Sequence, residues 1–330
     1  MSDDHEPVSF PESSGPALYL SVVLPCYNEH EVIDETYQRL KAVCEGLEQR
    51  YEIVIVNDGS KDCTWQDLLD LSDRDPTLVL VNLSRNFGHQ RALAAGLQIS
   101  SGQRILMLDA DLQDPPEILP DMLQFMDDGA DVVYAQRRSR PGDSVWKRAV
   151  CAVFYRILRR LSDTPIPLDA GDFRVINRRV ADALLQMPER NRFIRGMVAW
   201  VGFRQEPYLY DRDPRYAGET KYPLLKLVRL ALDGITSSSI RPLAFASLAG
   251  GLAAFGAVVL LAYSLFSWLF VGQTPPGWTS LLITVTVLSS IQLFVLGIIG
   301  EYLGRLYEES RGRPLFIIDR VVQRDAAEGG

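Results

Sequence analysis

Asp109 and Asp111, one residue apart in Leu108-Asp-Ala-Asp-Leu-Gln-Asp-Pro115, have the type and spacing to do chemistry. Residues 105–108 before them form a short apolar run, the pattern of a buried parallel strand. At the end of a strand this spacing carries both carboxylates past the sheet edge, where open α/β sheets bind their ligands. Two such oxygens can hold a hard cation whose remaining ligands are waters and phosphate oxygens. Gln113 adds a neutral carbonyl oxygen. Asp114-Pro115-Pro116 then opens a helix, since proline in a first turn loses no hydrogen bond. Taken alone, Asp-x-Asp is equally well read as acidic residues solvating a loop, so the surroundings decide.

The elements that must position these residues are legible as apolar runs at 19–25, 51–57, 78–81, 105–108 and 131–135. Helical patterns separate them: one to about Arg50, one capped by the Thr64 hydroxyl, one over 90–99 and one over 116–126. This alternation predicts an α/β fold with a mainly parallel, doubly wound sheet. Four polar loops follow strands: Tyr27-Asn28-Glu29, Asn57-Asp58-Gly59-Ser60, residues 86–89, and 109–113. In an open sheet such loops share one crevice. His89 there has two uses open, a phosphate contact or a structural hydrogen bond. No G-x-G-x-x-G follows the first strand, which argues against a dinucleotide cofactor. The chain also lacks G-x-x-x-x-G-K-[ST] and H-E-x-x-H.

The 330 residues suggest two domains, or one domain and an appendage. A net charge of −8 argues against a nucleic-acid partner. Cys26, Cys44, Cys63 and Cys151 lack metal-ligand spacing and read as reduced thiols of a cytosolic domain. Residues 1–17 are polar and acidic, which reads as a disordered terminus and not a signal peptide. Between Pro242 and Gly300 there is no Asp, Glu, Lys or Arg, and only Gly272-Gln-Thr-Pro-Pro-Gly277 interrupts the run. About 20 apolar residues cross a bilayer, so 242–305 is expected to hold two membrane helices, near 243–271 and 278–300. A buried soluble hairpin is the alternative. Arg241 precedes the first span, and Arg305, Arg311 and Arg313 follow the second, which places both ends and the large domain (18–221) in the cytoplasm. Residues 306–330 read as a cytoplasmic tail. Trp278 and Tyr302 sit where interfacial aromatics belong.

Two further stretches point to the membrane surface. Arg137, Arg138, Arg140, Lys147, Arg148, Arg156, Arg159 and Arg160 face only Asp143 in charge, while Val145, Ala149, Val150, Val153, Phe154, Ile157 and Leu161 recur at helical spacing. This predicts an amphipathic helix over about 144–161 lying among the headgroups, the alternative being a helix packed on the sheet. Residues 222–241 would lead along the membrane into the first span as a juxtamembrane helix.

Val23-Leu-Pro-Cys-Tyr-Asn-Glu29, Val56-Asn-Asp-Gly-Ser60 and the 108–115 run together resemble glycosyltransferase family 2. The Leu-Gln after Asp-Ala-Asp and the two C-terminal apolar segments are similar to the polyprenyl-phosphate sugar synthases: the undecaprenyl-phosphate glucosyl-type transferases and the dolichyl-phosphate mannose synthases. The resemblance covers roughly residues 20–307. It implies a GT-A fold, a Rossmann-like nucleotide-diphospho-sugar transferase sheet. It also implies Mg²⁺ or Mn²⁺, and inverting transfer from a UDP-sugar, UDP-glucose first, to undecaprenyl phosphate at a bacterial inner membrane, by a homo-oligomer, a tetramer. By the same resemblance Pro25, Tyr27, Glu29, Val56, Asp58, Asp109, Ala110, Arg137, Arg215 and Lys221 would bind the nucleotide-sugar. Asp58 would accept from the uracil imide N–H. Asp109, Asp111 and Gln113 would hold the metal, and the Arg215-Tyr-Ala-Gly-Glu-Thr-Lys221 loop would close over the phosphates. Asp172, in Ala170-Gly-Asp-Phe-Arg174, matches the position proposed as catalytic base in the bacterial branch, with Asp169 its neighbouring alternative. A phosphomonoester has its second pKa at about 6, so the acceptor is already anionic and a base is not strictly required. Asp172 orienting a sugar hydroxyl or the acceptor therefore stays open.

Two rivals lose ground. A processive polysaccharide synthase would carry Gln-x-x-Arg-Trp and more spans, and neither is present. A scaffold or lipid-translocation partner would need a path, and two spans without charge make a poor one. Galactose, N-acetylglucosamine, aminoarabinose and GDP-mannose remain alternatives to UDP-glucose as the donor.

Overall fold

A computed structural model describes residues 18–138, 170–190, 192–211, 241–266, 269–270 and 277–324. The terminus 1–17, the expected 144–161 helix, residues 222–240, Asp169, Arg215 and Lys221 lie outside the described residues.

The apolar runs form β1 (Leu20–Cys26), β2 (Tyr51–Asn57), β3 (Leu78–Leu83), β4 (Arg104–Met107) and β5 (Val132–Arg137), followed by β6 (Ala170–Asn177), β7 (Gln205–Tyr210) and β8 (Ile318–Gln323). They make one sheet in the order β7-β5-β6-β4-β1-β2-β3-β8. The central strands β4, β1, β2 and β3 are mutually parallel, as is the β5–β7 pair. Three pairings run antiparallel: β4–β6, β5–β6 and β3–β8. The sheet is thus mainly parallel at its centre, with reversed strands inserted beside β4 and along the β3 edge.

Helices cover both faces, which is why the central strands read as unbroken apolar runs. Leu20, Val22, Leu24 and Cys26 of β1 pack with α1 (Ile33–Gly46), α2 (Thr64–Ser72) and α4 (Leu119–Asp127). Val23, with Val54 and Val56 of β2, faces α3 (His89–Ile99), α5 (Arg178–Gln186) and α6 (Ile194–Trp200). Successive residues of a strand point to opposite faces, so β1 feeds both cores. Helix α3 lies close against this surface because Gly96 lacks a side chain: a Cβ there would sit 2.3 Å from Val23 Cγ1. The helix expected from Pro116 begins as a 3-10 turn, Pro116–Ile118, before α4.

The apolar C-terminal part forms α7 (Arg241–Phe266) and α8 (Trp278–Ser310). Among the described residues, one helical stretch, 283–310, is long and apolar enough to cross a membrane, and none of its most apolar window is buried. A shorter apolar stretch, 250–263, lies within α7. The segment read as a tail holds more order than a tail: α8 runs on to Ser310, and β8 returns to pair with β3. Its six residues alternate too weakly, Ile-Asp-Arg-Val-Val-Gln, to announce a strand.

Candidate active site

The register of β4 against β6 explains what meets at the carboxyl edge. Arg104 lies opposite Asn177 and Met107 opposite Arg174. Continued two residues past the paired stretch, the same antiparallel register sets Asp109 against Asp172. His89, the first residue of α3, enters from the β3 side. One side-chain atom each from His89, Asp109 and Asp172 lies within 4.8 Å of the others.

Asp172 is the buried hub of this group, 4% exposed. Its Oδ1 accepts from Arg195 Nε (2.8 Å). Its Oδ2 accepts from Arg195 Nη2 (3.1 Å), Gln90 Nε2 (3.0 Å) and, in the tautomer protonated there, His89 Nε2 (3.1 Å). Gln90 is itself fixed, since its Oε1 accepts the Ile194 amide (3.0 Å). Burial alone would raise the Asp172 pKa, but the His89 hydrogen bond and the Arg195 guanidinium hold it well below the carboxylate range. His89 is pushed the other way: burial would lower its pKa, and the Asp172 and Asp109 carboxylates raise it above the ordinary value. The outer parts of His89 and Arg195 stay accessible, 41% and 38% exposed.

Asp109 is left in a different state. Its side chain is 29% exposed, yet Oδ1 is inaccessible and, among the described residues, accepts no hydrogen bond of good geometry. His89 Nε2 lies 3.3 Å from it, already committed to Asp172. Burial pushes the Asp109 carboxyl up to about 6; His89 opposes this, and the negative charges of Asp172, Asp111 and Asp114 add to it. A buried oxygen without a donor, crowded by three other carboxylates, fits a hard divalent cation, which would supply the missing positive charge. Asp111 stands on the same loop, its Oδ1 accepting the Gln113 amide (3.2 Å) across Leu112, which is left-handed at φ 57°. Asp111 does not join the group of three, and Gln113 is buried. Asp109 is common to this cluster and to the trio Asp109, Asp111 and Gln113 expected from the loop.

The other expected contacts divide between crevice and scaffold. Pro25 and Val56 are cross-strand partners, and Val56 is core. The Ala110 carbonyl accepts from Thr36 Oγ1 (3.1 Å), which ties α1 to the acidic loop. Tyr27 is exposed at the mouth. Glu29 donates its amide to Thr64 Oγ1 (3.0 Å). Asp58 is buried, with Oδ1 accepting the Phe87 amide (2.7 Å) and Oδ2 the Gly88 amide (2.9 Å). It thereby holds the loop that leads into His89, and a uracil would have to share these oxygens. Burial raises its pKa against those two bonds. Gly59 (φ 66°) is required here, because a Cβ would lie 2.5 Å from the Arg85 carbonyl carbon. Arg137 Nη2 comes within 3.7 Å of the space beside Gly171, next to Asp172, and Arg137 Nε reaches Tyr210 Oη at 3.5 Å.

Residues 21–185 match the family described as Glycosyl transferase family 2. The chain belongs to glycosyl transferase family 2. This family 2 glycosyltransferase is 46% identical over 303 residues to the uncharacterized glycosyltransferase YkcC of Bacillus subtilis (strain 168), covering 92% of this chain and 94% of that one. It is 39% identical to the prophage bactoprenol glucosyl transferase homolog of Escherichia coli (strain K12), over 92% and 99% of the two chains. It is 38% identical to the bactoprenol glucosyl transferase of Shigella phage SfV, over 93% and 100%.

Sequence reasoning missed two groups in the transferase's site, Gln90 and Arg195. Gln90 lies just past the polar loop after β3, in a stretch read only as helix, and Arg195 follows no strand of the parallel set. Arg195 opens α6, which reaches the crevice only because β6 runs backwards along β4. The signal available was Asn191-Arg192-Phe193-Ile194-Arg195, a short basic cluster.

Proposed function

We propose that the enzyme transfers a sugar, with inversion, from a UDP-sugar to undecaprenyl or another polyprenyl phosphate, with UDP-glucose the first candidate donor. The observation that carries this reading is the extent of the likeness to the two bactoprenol glucosyl transferase sequences, over 92% and 93% of this chain. It takes in the uncharged C-terminal segment as well as the sheet. An apolar helix of membrane-crossing length agrees with a lipid acceptor. We read α7 and α8 as the two spans, with the sheet and both termini on the cytoplasmic side and the enzyme as a homo-oligomer. Small residues such as Gly250, Gly251 and Gly256 would allow close helix contacts.

In this mechanism an anionic phosphate oxygen of the acceptor forms a bond to the anomeric carbon. The anomeric carbon–oxygen bond to the diphosphate breaks, and UDP leaves. The attacking oxygen carries no proton, so no base is needed. Asp172 is unsuited to be one: its two oxygens already take four hydrogen bonds and it is almost wholly buried. Its part is to hold His89 and Arg195, whose accessible edges can meet phosphate oxygens beside Asp109. Asp109 and Asp111, with Gln113 on the same loop, would hold Mg²⁺ or Mn²⁺; Asp172, engaged by Arg195, is the poorer ligand. When bound, the ion would offset charge on the departing diphosphate. Tyr27, Glu29 and Asp58 line the side where the nucleoside would lie, with Arg137, Arg215 and Lys221 assigned to phosphate or sugar.

Mass spectrometry of lipid extracts, after incubating membranes that contain the protein with undecaprenyl phosphate and a panel of nucleotide-sugars, tests this. A hexosyl-phosphoundecaprenol formed from UDP-glucose is expected. Product from another donor alone would replace glucose, and none from any donor would end the proposal.

A further inference from the structure

The strand β8 is continuous with the apolar helix α8 through residues 311–317 alone, and it forms the outer edge of the sheet beside the donor loops. It pairs antiparallel with β3, and the Ser84 amide donates to the Ile317 carbonyl (3.0 Å). Phe316 and Ile318 pack with Phe87 onto the α3 face, and Arg324 just after the strand pairs with Asp73. From β8 one line of hydrogen bonds runs inward. Asn82 Nδ2 donates to Asp319 Oδ2 (3.2 Å), and Asn57 Nδ2 donates to Asn82 Oδ1 (2.7 Å). Asn57 Oδ1 then accepts the Ser60 amide (3.2 Å), and Ser60 Oγ accepts the Asn28 amide (2.9 Å). Asn28 Oδ1 closes the set by accepting the Lys61 amide (2.8 Å).

The direction of this line has a cause. An ionised carboxylate only accepts, whereas a side-chain amide donates at one end and accepts at the other. Asp319 therefore turns the Asn82 amide so that its NH₂ points outward and its oxygen inward. That oxygen takes the Asn57 NH₂, which leaves the Asn57 oxygen facing the Ser60 amide. With a donor in place of Asp319 both amides would turn over, and the Asn57 NH₂ would face the Ser60 N–H, two donors in opposition. Asn57 is buried, so such a mismatch is costly.

We propose that the C-terminal strand is a positioning element of the donor site, in which Asp319 sets the polarity of an Asn82–Asn57 relay holding the 57–61 and 27–29 loops in place. The inference rests on the reading above that these loops take the nucleotide-sugar. It makes donor binding depend on a segment joined directly to the membrane helix, at most about 25 Å of chain from the end of α8.

The test uses the full-length protein in lipid nanodiscs, with UDP-glucose and undecaprenyl phosphate. KM and kcat are measured together with amide hydrogen exchange at Ser60 and Lys61. Asp319→Ala should raise KM for UDP-glucose about threefold to tenfold, with kcat within about twofold and faster Ser60 exchange. Asp319→Asn keeps an acceptor and should lie near wild type; Asp319→Lys supplies a donor and should exceed Asp319→Ala in both readouts. Wild-type KM and Ser60 exchange in Asp319→Lys would overturn the proposal. So would equal effects of Ala, Asn and Lys, which would mark a merely structural contact. If UDP-glucose gives no turnover with wild-type protein, the functional reading fails on its own, and Ser60 exchange across the three variants still decides the relay.

Discussion

At the amino end of the strands Glu52, 6% exposed, accepts from Ser21 Oγ (2.6 Å), the Ser101 amide (2.7 Å) and Ser101 Oγ (2.9 Å). Ser21 Oγ takes the Gly102 amide in turn (2.7 Å), and Arg178 caps the Ser100 and Gly102 carbonyls. At the carboxyl end Asp109 Oδ1 is as inaccessible as Glu52, yet among the described residues it accepts no such hydrogen bonds, and three other carboxylates act on it. Both positions bury an acidic oxygen in one sheet. Where the buried oxygen has a set of donors, the group is a joint between strands and loops. Where it lacks them, the group is arranged for something that arrives from outside.

Exchanging the two carboxylates for alanine should break them in opposite ways. Asp109→Ala should lower transfer about 10³-fold while leaving thermal stability unchanged or slightly raised, since a crowded charge is removed. Steady-state turnover and a melting curve on the same preparation check both halves. Glu52→Ala should do the reverse, costing about 2–4 kcal/mol in denaturant unfolding as the Ser21 and Ser101 donors lose their acceptor, with turnover per folded molecule unchanged. A Glu52→Ala protein that is stable but inactive would erase the distinction.

Within the carboxyl end the comparison can be sharpened. Arg195→Ala and Asp172→Ala should each lower kcat about 10- to 100-fold. The double variant should be no more than about threefold worse than either, because the two act as one unit. Fully multiplicative losses would show that Asp172 has a task apart from holding Arg195 and His89.

The smallest effect concerns a third buried carboxylate, well away from the crevice. Asp75 accepts from Tyr37 Oη (2.6 Å), the Thr77 amide (2.9 Å), Thr77 Oγ1 (2.8 Å) and Lys41 Nζ (3.0 Å). Burial would raise its pKa, but these donors bring it from its ordinary 3.8 down to about 2. A depressed carboxyl stabilises the fold above its unfolded pKa and loses that contribution as pH falls through the folded one. Stability should therefore drop by about 2 kcal/mol between pH 4 and pH 2 from this group, and Asp75→Asn should flatten that part of the profile. Denaturant midpoints across the range measure it.

Much of this was legible in the sequence, for reasons particular to each part. The parallel strands announced themselves because a doubly covered strand must be apolar throughout, and the loops carrying Tyr27, Asp58 and Asp109 follow from their ends. Asp172 was singled out by resemblance, but its meeting with Asp109 depends on an antiparallel register that periodicity cannot reveal. Gln90 and Arg195 were hidden for the same reason. β8 was hidden too, because half its residues are charged or polar and its partner β3 lies more than 230 positions earlier. Glu52 shows the converse: a lone acid inside an apolar strand looks anomalous in sequence, and only the donors around it make it structural.

The most direct measurement is the partition of radiolabel between water and lipid when membranes holding the protein meet radiolabelled UDP-glucose and undecaprenyl phosphate. The account predicts that label moves into the lipid extract with the wild-type and Glu52→Ala proteins and stays in water with Asp109→Ala. Label that enters lipid equally well with Asp109→Ala, or never enters it with the wild-type protein, would contradict the account.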